Sequence, residues 1–308
     1  MRRAPHRVLL ALGLALACAS LAACTVPVGG GGVDATSPPG PTGPYTMDPY
    51  RGLGTWVDVY EWSMTMGGPR PSVGLWDIDA MAAEGVRTVY LQTARYTADD
   101  DVLEQPWLSM LVRRAHERGM KVVGWYLPTF EDLDKDLRRL LAMRNMGVDG
   151  VAVDIESTRV RDEAERARRL VELSRRLREA IPRPEVISAV VLPPVALELG
   201  TGYWDIHPWA EIAPYYDVWL PMDYWSVRRA DSGYRDGHRY TADNIDQLRG
   251  LIGQPSAPVH PIGGIADNVT TTDVEGFVRA ARERGALGVS LYNFSTTPPA
   301  YWPILRSY

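Results

Sequence analysis

Cysteine is nearly absent. The chain of 308 residues has two, Cys18 and Cys24, both close to its N-terminus. The body of the chain therefore has no thiol, which excludes a disulfide framework, a cysteine nucleophile and thiolate metal ligation there. Histidine is scarce as well. His116, His207, His238 and His260 show no HxH or HxxxH spacing, so zinc finds no ligand pattern. No GxGxxG or GxxxxGK[ST] loop follows an early strand, and no GxSxG elbow is present. Nucleotide binding and serine hydrolysis lose their main support. The run Asp99-Asp100-Asp101 lacks EF-hand spacing and reads as a solvated loop or helix start. Positive charge is in deficit, with 33 Lys and Arg against 38 Asp and Glu and a net charge of −5, so nothing points to nucleic acid. No cofactor and no metal is expected. Oligomeric state is not legible.

The N-terminus has a recognisable order of parts. Arg2, Arg3 and Arg7 form a positive segment, and residues 8–21 are apolar but too short for a comfortable membrane span. Leu21-Ala22-Ala23-Cys24 follows. It resembles a bacterial lipobox, in which the signal is cleaved before the cysteine and that cysteine is acylated. The rival is an ordinary secretory signal with an incidental cysteine. Residues 1–23 are thus expected to be a lipoprotein signal peptide. Residues 24–50, rich in Gly, Pro and Thr, cannot bury enough apolar surface to order themselves and read as a tether. Acyl chains on Cys24 would hold the protein to the outer face of the cytoplasmic membrane.

Residues 51–308 read as one folded domain. Hydrophobic content of 45% and charged content of 23% are ordinary for a globular chain with a sizeable core. Strand-like runs are predicted at residues 55–62, 86–94, 121–127, 148–156, 185–192, 217–224, 259–265 and 286–294. Helical patterns at 77–84, 106–118, 131–146, 161–180, 206–213, 241–251 and 272–284 alternate with them. The helix at 106–118 lacks an obvious cap. Gly119, Gly147 and Gly285 each close a helix just before a strand. Eight strands alternating with helices over about 250 residues is the count of a single-domain (β/α)8 TIM barrel. A doubly wound open sheet is the rival and usually has fewer strands.

The run Val148 to Glu156 organises the domain. Val151, Val153 and Ile155 share one parity and suit burial under a helix. Ala152, Asp154 and Glu156 share the other. Side chains alternate along a strand, so the two acids point the same way, about 6–7 Å apart. Two acids on one face of a buried strand end are costly in a core and useful in a catalytic site. The structural alternative is that they cap the next helix or pair with Arg159 or Arg161.

Other predicted strand ends also carry acids: Asp58 and Glu61, Glu131, Asp223 and Asp267. Tyr60, Trp62, Tyr96, Trp125, Tyr126, Tyr224, Trp225, Tyr292 and Phe294 crowd the same ends. Barrel active sites form at the C-terminal ends of the strands. Aromatic faces stack on sugar rings while carboxylates bond hydroxyls and move protons, so a carbohydrate is the expected partner. Trp107, Trp204 and Trp209 read as packing. His260 is expected near the barrel bottom.

Asp149-Gly150-x-x-x-Asp154-x-Glu156 resembles the fourth-strand DGxDxDxE motif of the family 18 glycoside hydrolases, the chitinase-like barrels. Pro221-Met222-Asp223-Tyr224-Trp225 is similar to that family's sixth-strand Met-x-Tyr segment. The resemblance implies Glu156 as general acid, Asp154 as its partner orienting a substrate acetamido group, Tyr224 as a supporting hydroxyl and Met222 as a pocket wall. It implies a substrate containing N-acetylhexosamine. Asp58, Tyr60, Glu61, Tyr126, Asp223, Trp225, Tyr292 and Asn293 are the further candidate substrate-binding residues. Two positions depart from the pattern. Ala152 replaces the middle aspartate, and Ser290-Leu291-Tyr292-Asn293-Phe294 has no eighth-strand tryptophan. Two alternatives follow: a non-catalytic carbohydrate-binding barrel, or a glycosidase of another barrel family using Asp223 or Asp58 as second carboxylate.

Overall fold

A computed structural model describes residues 46–198 and 203–308. The signal-peptide, lipobox and Cys24 expectations lie outside the described residues. Eight parallel strands close into a barrel in sequence order. They are β1 (Gly52–Val57), β2 (Thr88–Gln92), β3 (Lys121–Tyr126), β4 (Gly150–Ile155), β5 (Ile187–Val191), β6 (Val218–Asp223), β7 (Ile262–Gly264) and β8 (Gly288–Tyr292). Strand β8 returns to β1 with Gly52 opposite Gly288. One helix per strand is numbered: α1 (Leu75–Ala83), α2 (Gln105–Glu117), α3 (Leu133–Arg144), α4 (Glu163–Ala180), α5 (Trp209–Ile212), α6 (Gly237–Leu251), α7 (Thr271–Glu283) and α8 (Trp302–Arg306). The molecule is a (β/α)8 TIM barrel. Among the described residues, no helix is long and apolar enough to cross a membrane.

Local chemistry sets the helix ends. Asp132, Asp162 and Asp236 cap α3, α4 and α6 by accepting the amides of Lys135, Glu165 and Arg239. Asp236 starts α6 earlier than the apolar periodicity indicates. Gly119 and Gly147, at φ 77° and 78°, reverse the chain between a helix and the next strand. Glu104 precedes α2 and does not cap it with its side chain. That carboxylate accepts instead from Ser63 Oγ and the amides of Met64 and Thr65, capping the short helix Met64–Gly67.

The predicted strand at 55–62 is two elements. Strand β1 stops at Val57, and Val59–Trp62 is a helical turn. The Asp58 carboxylate accepts from Tyr60 N, and the Glu61 carboxylate accepts from Asp58 N, both at 2.8 Å. This reciprocal pair is a capping box, and it outcompetes the strand alternation of the same residues.

The barrel interior is aromatic. Trp56 stacks on Tyr90 at 4.4 Å between ring centres and meets Trp125 edge-on at 5.7 Å. Ala152, Val190, Leu220 and Ile262 complete this lining. Tyr50, just outside the expected domain boundary, is buried in the same cluster at the barrel floor. His260 donates through Nδ1 to the Tyr50 carbonyl, because a carbonyl only accepts. Ser290 Oγ takes a bond from Trp56 Nε1 and lies 3.1 Å from His260 Nε2, which leaves the imidazole neutral with its proton on Nδ1. Burial moves this histidine down to about 4. The other parity of β4, Val151, Val153 and Ile155, packs against Leu170, Leu173 and Leu177 of α4.

Candidate active site

Strand β4 delivers two acids to the C-terminal mouth. Asp154 ends the inward parity of the strand and is 6% exposed. Glu156 follows one residue beyond the strand and is half-buried. Burial first, and then the charge of Glu156, pushes the Asp154 carboxyl well above its ordinary range. Burial also raises Glu156, against the opposing pull of the Arg95 guanidinium. Oδ1 of Asp154 is buried with no protein hydrogen-bond partner. At neutral pH this arrangement favours holding a proton over carrying two charges.

Tyr224 follows β6 and feels the charges of Glu156 and Asp154. Burial first, and then those charges, hold its phenol well above the ordinary value, so it stays a protonated donor. Its ring lies 6.1 Å from that of Tyr292. Tyr292 donates its hydroxyl to Asp58 Oδ2 at 2.8 Å. Asp58, Tyr292, Tyr224 and the Asp154–Glu156 pair thus ring the mouth from β1 through β8 and β6 to β4. Met222 is buried in the lining beneath them. Tyr60 is 52% exposed at the rim. Glu61 is buried beside Asp58. Burial and the Asp58 charge lift it to about 7, although it accepts amides from Asp58 and Ser295.

Several expected site residues lie elsewhere. Tyr126 has the outward parity of β3. Its hydroxyl donates to Asp136 Oδ1 at 2.7 Å and accepts from Arg139 Nη1 at 3.0 Å, between strand and α3. Asp223 also points outward and is fully buried against Thr241 and Asn244 of α6. It cannot serve as the second carboxylate of a luminal reaction. Trp225 packs on Phe277 of α7, with ring centres 5.3 Å apart, and offers no platform to a sugar. Asn293 caps the turn Phe294–Thr296 through Oδ1. Asp149 heads the motif from the opposite end of β4. It accepts from His116, Lys121 Nζ and the Val122 amide, a clamp at the barrel bottom. Trp62 is fully buried and donates to the Gln92 carbonyl.

Two mouth residues, Arg95 and Tyr203, were absent from the expected site, and Tyr96 stood only among the strand-end aromatics. Arg95 and Tyr96 follow shortly after β2, and Tyr203 lies on the connection from β5 to α5. Their positions after strand ends were the available signal. Tyr203 donates to the backbone carbonyl of Glu156 at 2.6 Å. Surface grooves of about 400 and 290 Å³ lie on the outer helices, by Val171 and Glu211 and by Asp246 and Pro255, away from the strand ends. Among the described residues, no group of three or more His, Cys, Asp or Glu side chains is placed to hold a metal ion.

No family model and no curated protein sequence matches the chain. Solved structures do. A GH18 chitinase from Pseudoalteromonas aurantia is 16% identical, with a TM-score of 0.56 over 83% of this chain and 100% of the other. The PgaB (BpsB) glycoside hydrolase domain from Bordetella bronchiseptica is 12% identical, with a TM-score of 0.57 over 83% and 98%. The endo-beta-1,4-mannanase from Thermotoga petrophila is 10% identical, with a TM-score of 0.60 over 84% and 76%. The likeness is one of fold. At such identities a shared barrel does not carry residue roles from one chain to another.

Proposed function

We propose that this protein is a glycoside hydrolase acting on a glycan that contains N-acetylhexosamine. The observation that carries the proposal is the pairing of buried Asp154 with half-buried Glu156 at the C-terminal end of β4, both carboxyls raised and the Tyr224 phenol within reach of their charges. A raised Glu156 keeps the proton that a departing glycosidic oxygen requires. Asp154, close to Glu156 and without a fixed partner on Oδ1, is free to orient the substrate's acetamido group as that group attacks the anomeric carbon. Tyr224 then supports the intermediate through its hydroxyl. Neighbouring acids from one strand suit this substrate-assisted route. A second carboxylate from across the mouth would have to be Asp58, which already accepts from Tyr292. The glycoside hydrolases among the structural neighbours are consistent with the chemistry.

The lipobox-like Leu21-Ala22-Ala23-Cys24 supports a lipid-anchored location outside the cytoplasmic membrane. A substrate in the cell wall or extracellular matrix would be within reach there. The test is a panel of chromogenic N-acetylhexosaminides and cell-wall glycans assayed with the protein and with Glu156→Gln. Hydrolysis by the first, and its loss in a folded variant, is expected. Full activity in the variant would refute the assignment.

A second reading, a carbohydrate-binding barrel without turnover, is favoured by one observation. Ala152 removes the carboxylate that would stand beneath Asp154, and the lining there is Trp125 and Trp56 instead. Glycan binding without hydrolysis, equal in protein and variant, would select it.

A further inference from the structure

Among the described residues, the Arg95 side chain has ring contacts and no ion pair within 4 Å or side-chain hydrogen bond, although it stands at the mouth of an acid-bearing barrel. It is held by two rings. Its guanidinium lies 5.2 Å from the centre of Tyr60 and 4.8 Å from that of Tyr96. The far arginine on Tyr96, Arg159 at 5.3 Å, is already committed to Glu131 at 2.8 Å. Arg95 is half-buried, and its charge reaches Glu156.

An arginine on the surface normally loses side-chain freedom when it binds, which weakens the contact. Stacking between two rings orders Arg95 beforehand and leaves its fork of N–H donors open. Glu156 feels the Arg95 charge, yet burial outweighs that pull and keeps its carboxyl raised. Asp154 and Glu156 are both held toward their protonated forms by burial, so the interior is less negative than its composition.

We propose that Arg95 is the specificity residue of this site and grips a carboxylate on a sugar lying across the Tyr60–Tyr96 rim, which makes the substrate an acidic glycan. The proposal rests on the hydrolase reading above for the place where the sugar binds. The carboxylate can belong to a uronic acid ring or to a lactyl ether on an amino sugar. Both present two oxygens to the guanidinium fork.

The experiment uses the full chain carrying Glu156→Gln, so that binding is read without turnover. Two probes are titrated calorimetrically: a hyaluronan hexasaccharide, which carries glucuronate, and a peptide-free N-acetylglucosamine–N-acetylmuramate tetrasaccharide. Each is paired with its carboxyl-reduced form. At least one acid probe should bind about tenfold tighter than its reduced partner, the scale of a charge-assisted bond at a partly exposed site. Arg95→Gln should bring that ratio to about one, and Arg95→Lys should keep part of it. High salt should shrink it. The probe that shows the preference identifies the source of the carboxylate.

Equal affinities within both pairs, a preference that survives Arg95→Gln, or failure to bind either acid probe overturns the proposal. Selectivity without hydrolysis by the unmodified protein would refute the hydrolase reading alone. Hydrolysis of neutral glycans without selectivity would refute the role of Arg95 alone.

Discussion

The Tyr203 phenol donates to the main-chain carbonyl of Glu156, tying the β5–α5 connection to the end of β4. Tyr203 is itself anchored from behind. Arg166 of α4 donates to its carbonyl at 2.8 Å and stacks on Trp204 at 4.3 Å, and His207 lies between Trp204 and Trp209. The backbone bond therefore sets the angle at which the Glu156 side chain leaves the strand. Tyr203→Phe should lower kcat/KM by roughly three- to tenfold while unfolding stability changes by less than about 1.5 kcal/mol, the ordinary net value of one hydrogen bond. Steady-state kinetics beside urea unfolding would separate the two effects. A variant with unchanged kcat/KM would dismiss the positioning role.

Glu61 gives a pH dependence with a defined sign. Its folded-state value is about 7 against an ordinary 4.5. A carboxyl that binds its proton more tightly when folded contributes stability that is complete below about pH 4.5 and is lost as pH rises to about 7. The contribution is on the order of 3 kcal/mol. His207 and His260, lowered by burial to about 3 and about 4, work in the opposite direction below pH 6.5. The variant must therefore be compared with the parent. Between pH 5 and pH 8, Glu61→Gln should lose less stability than the unaltered protein in urea titrations. Parallel curves would contradict the assignment.

Ala152→Asp restores the carboxylate of the DGxDxDxE pattern and should be costly here. The position is fully buried within the Trp56, Tyr90 and Trp125 cluster, below an aspartate whose carboxyl burial already raises. A loss of roughly 2–4 kcal/mol is expected, read as a lower Tm. An undiminished Tm would show that the lumen contains room and partners for the group.

Tyr126→Phe separates packing from function. It deletes a hydroxyl shared by Asp136 and Arg139 outside the barrel lumen. Stability should fall by about 1–3 kcal/mol, because two buried groups lose a partner. Glycan turnover at a temperature where the variant is folded should match the parent. A selective loss of kcat would return Tyr126 to the site.

Cys24→Ala tests the membrane anchor. The unaltered protein should incorporate radiolabelled palmitate and sediment with membranes. The variant should do neither, since it lacks the thiol that would carry the acyl chains. Label retained by the variant would exclude acylation at Cys24.

The eight-fold alternation, the helix-closing glycines and the paired acids of β4 were legible in the sequence. Each depends on neighbours a few residues apart: parity along a strand, an amide within reach of a cap, a glycine past the last helical turn. The order Asp58-x-x-Glu61 was equally local, and only the strand alternation around it hid the capping box. Tertiary structure alone decided which face of each strand meets the lumen. Asp223, the last residue of β6, points outward while Met222 beside it faces the lumen, because side chains one residue apart leave a strand on opposite faces and closure turns one of those faces to the helices; Trp225, in the turn after the strand, packs on Phe277 of α7. Closure alone also brought Arg95, Tyr60 and Glu156 from the ends of three separate strands to one rim, where a guanidinium held by two rings acts on the Glu156 carboxyl.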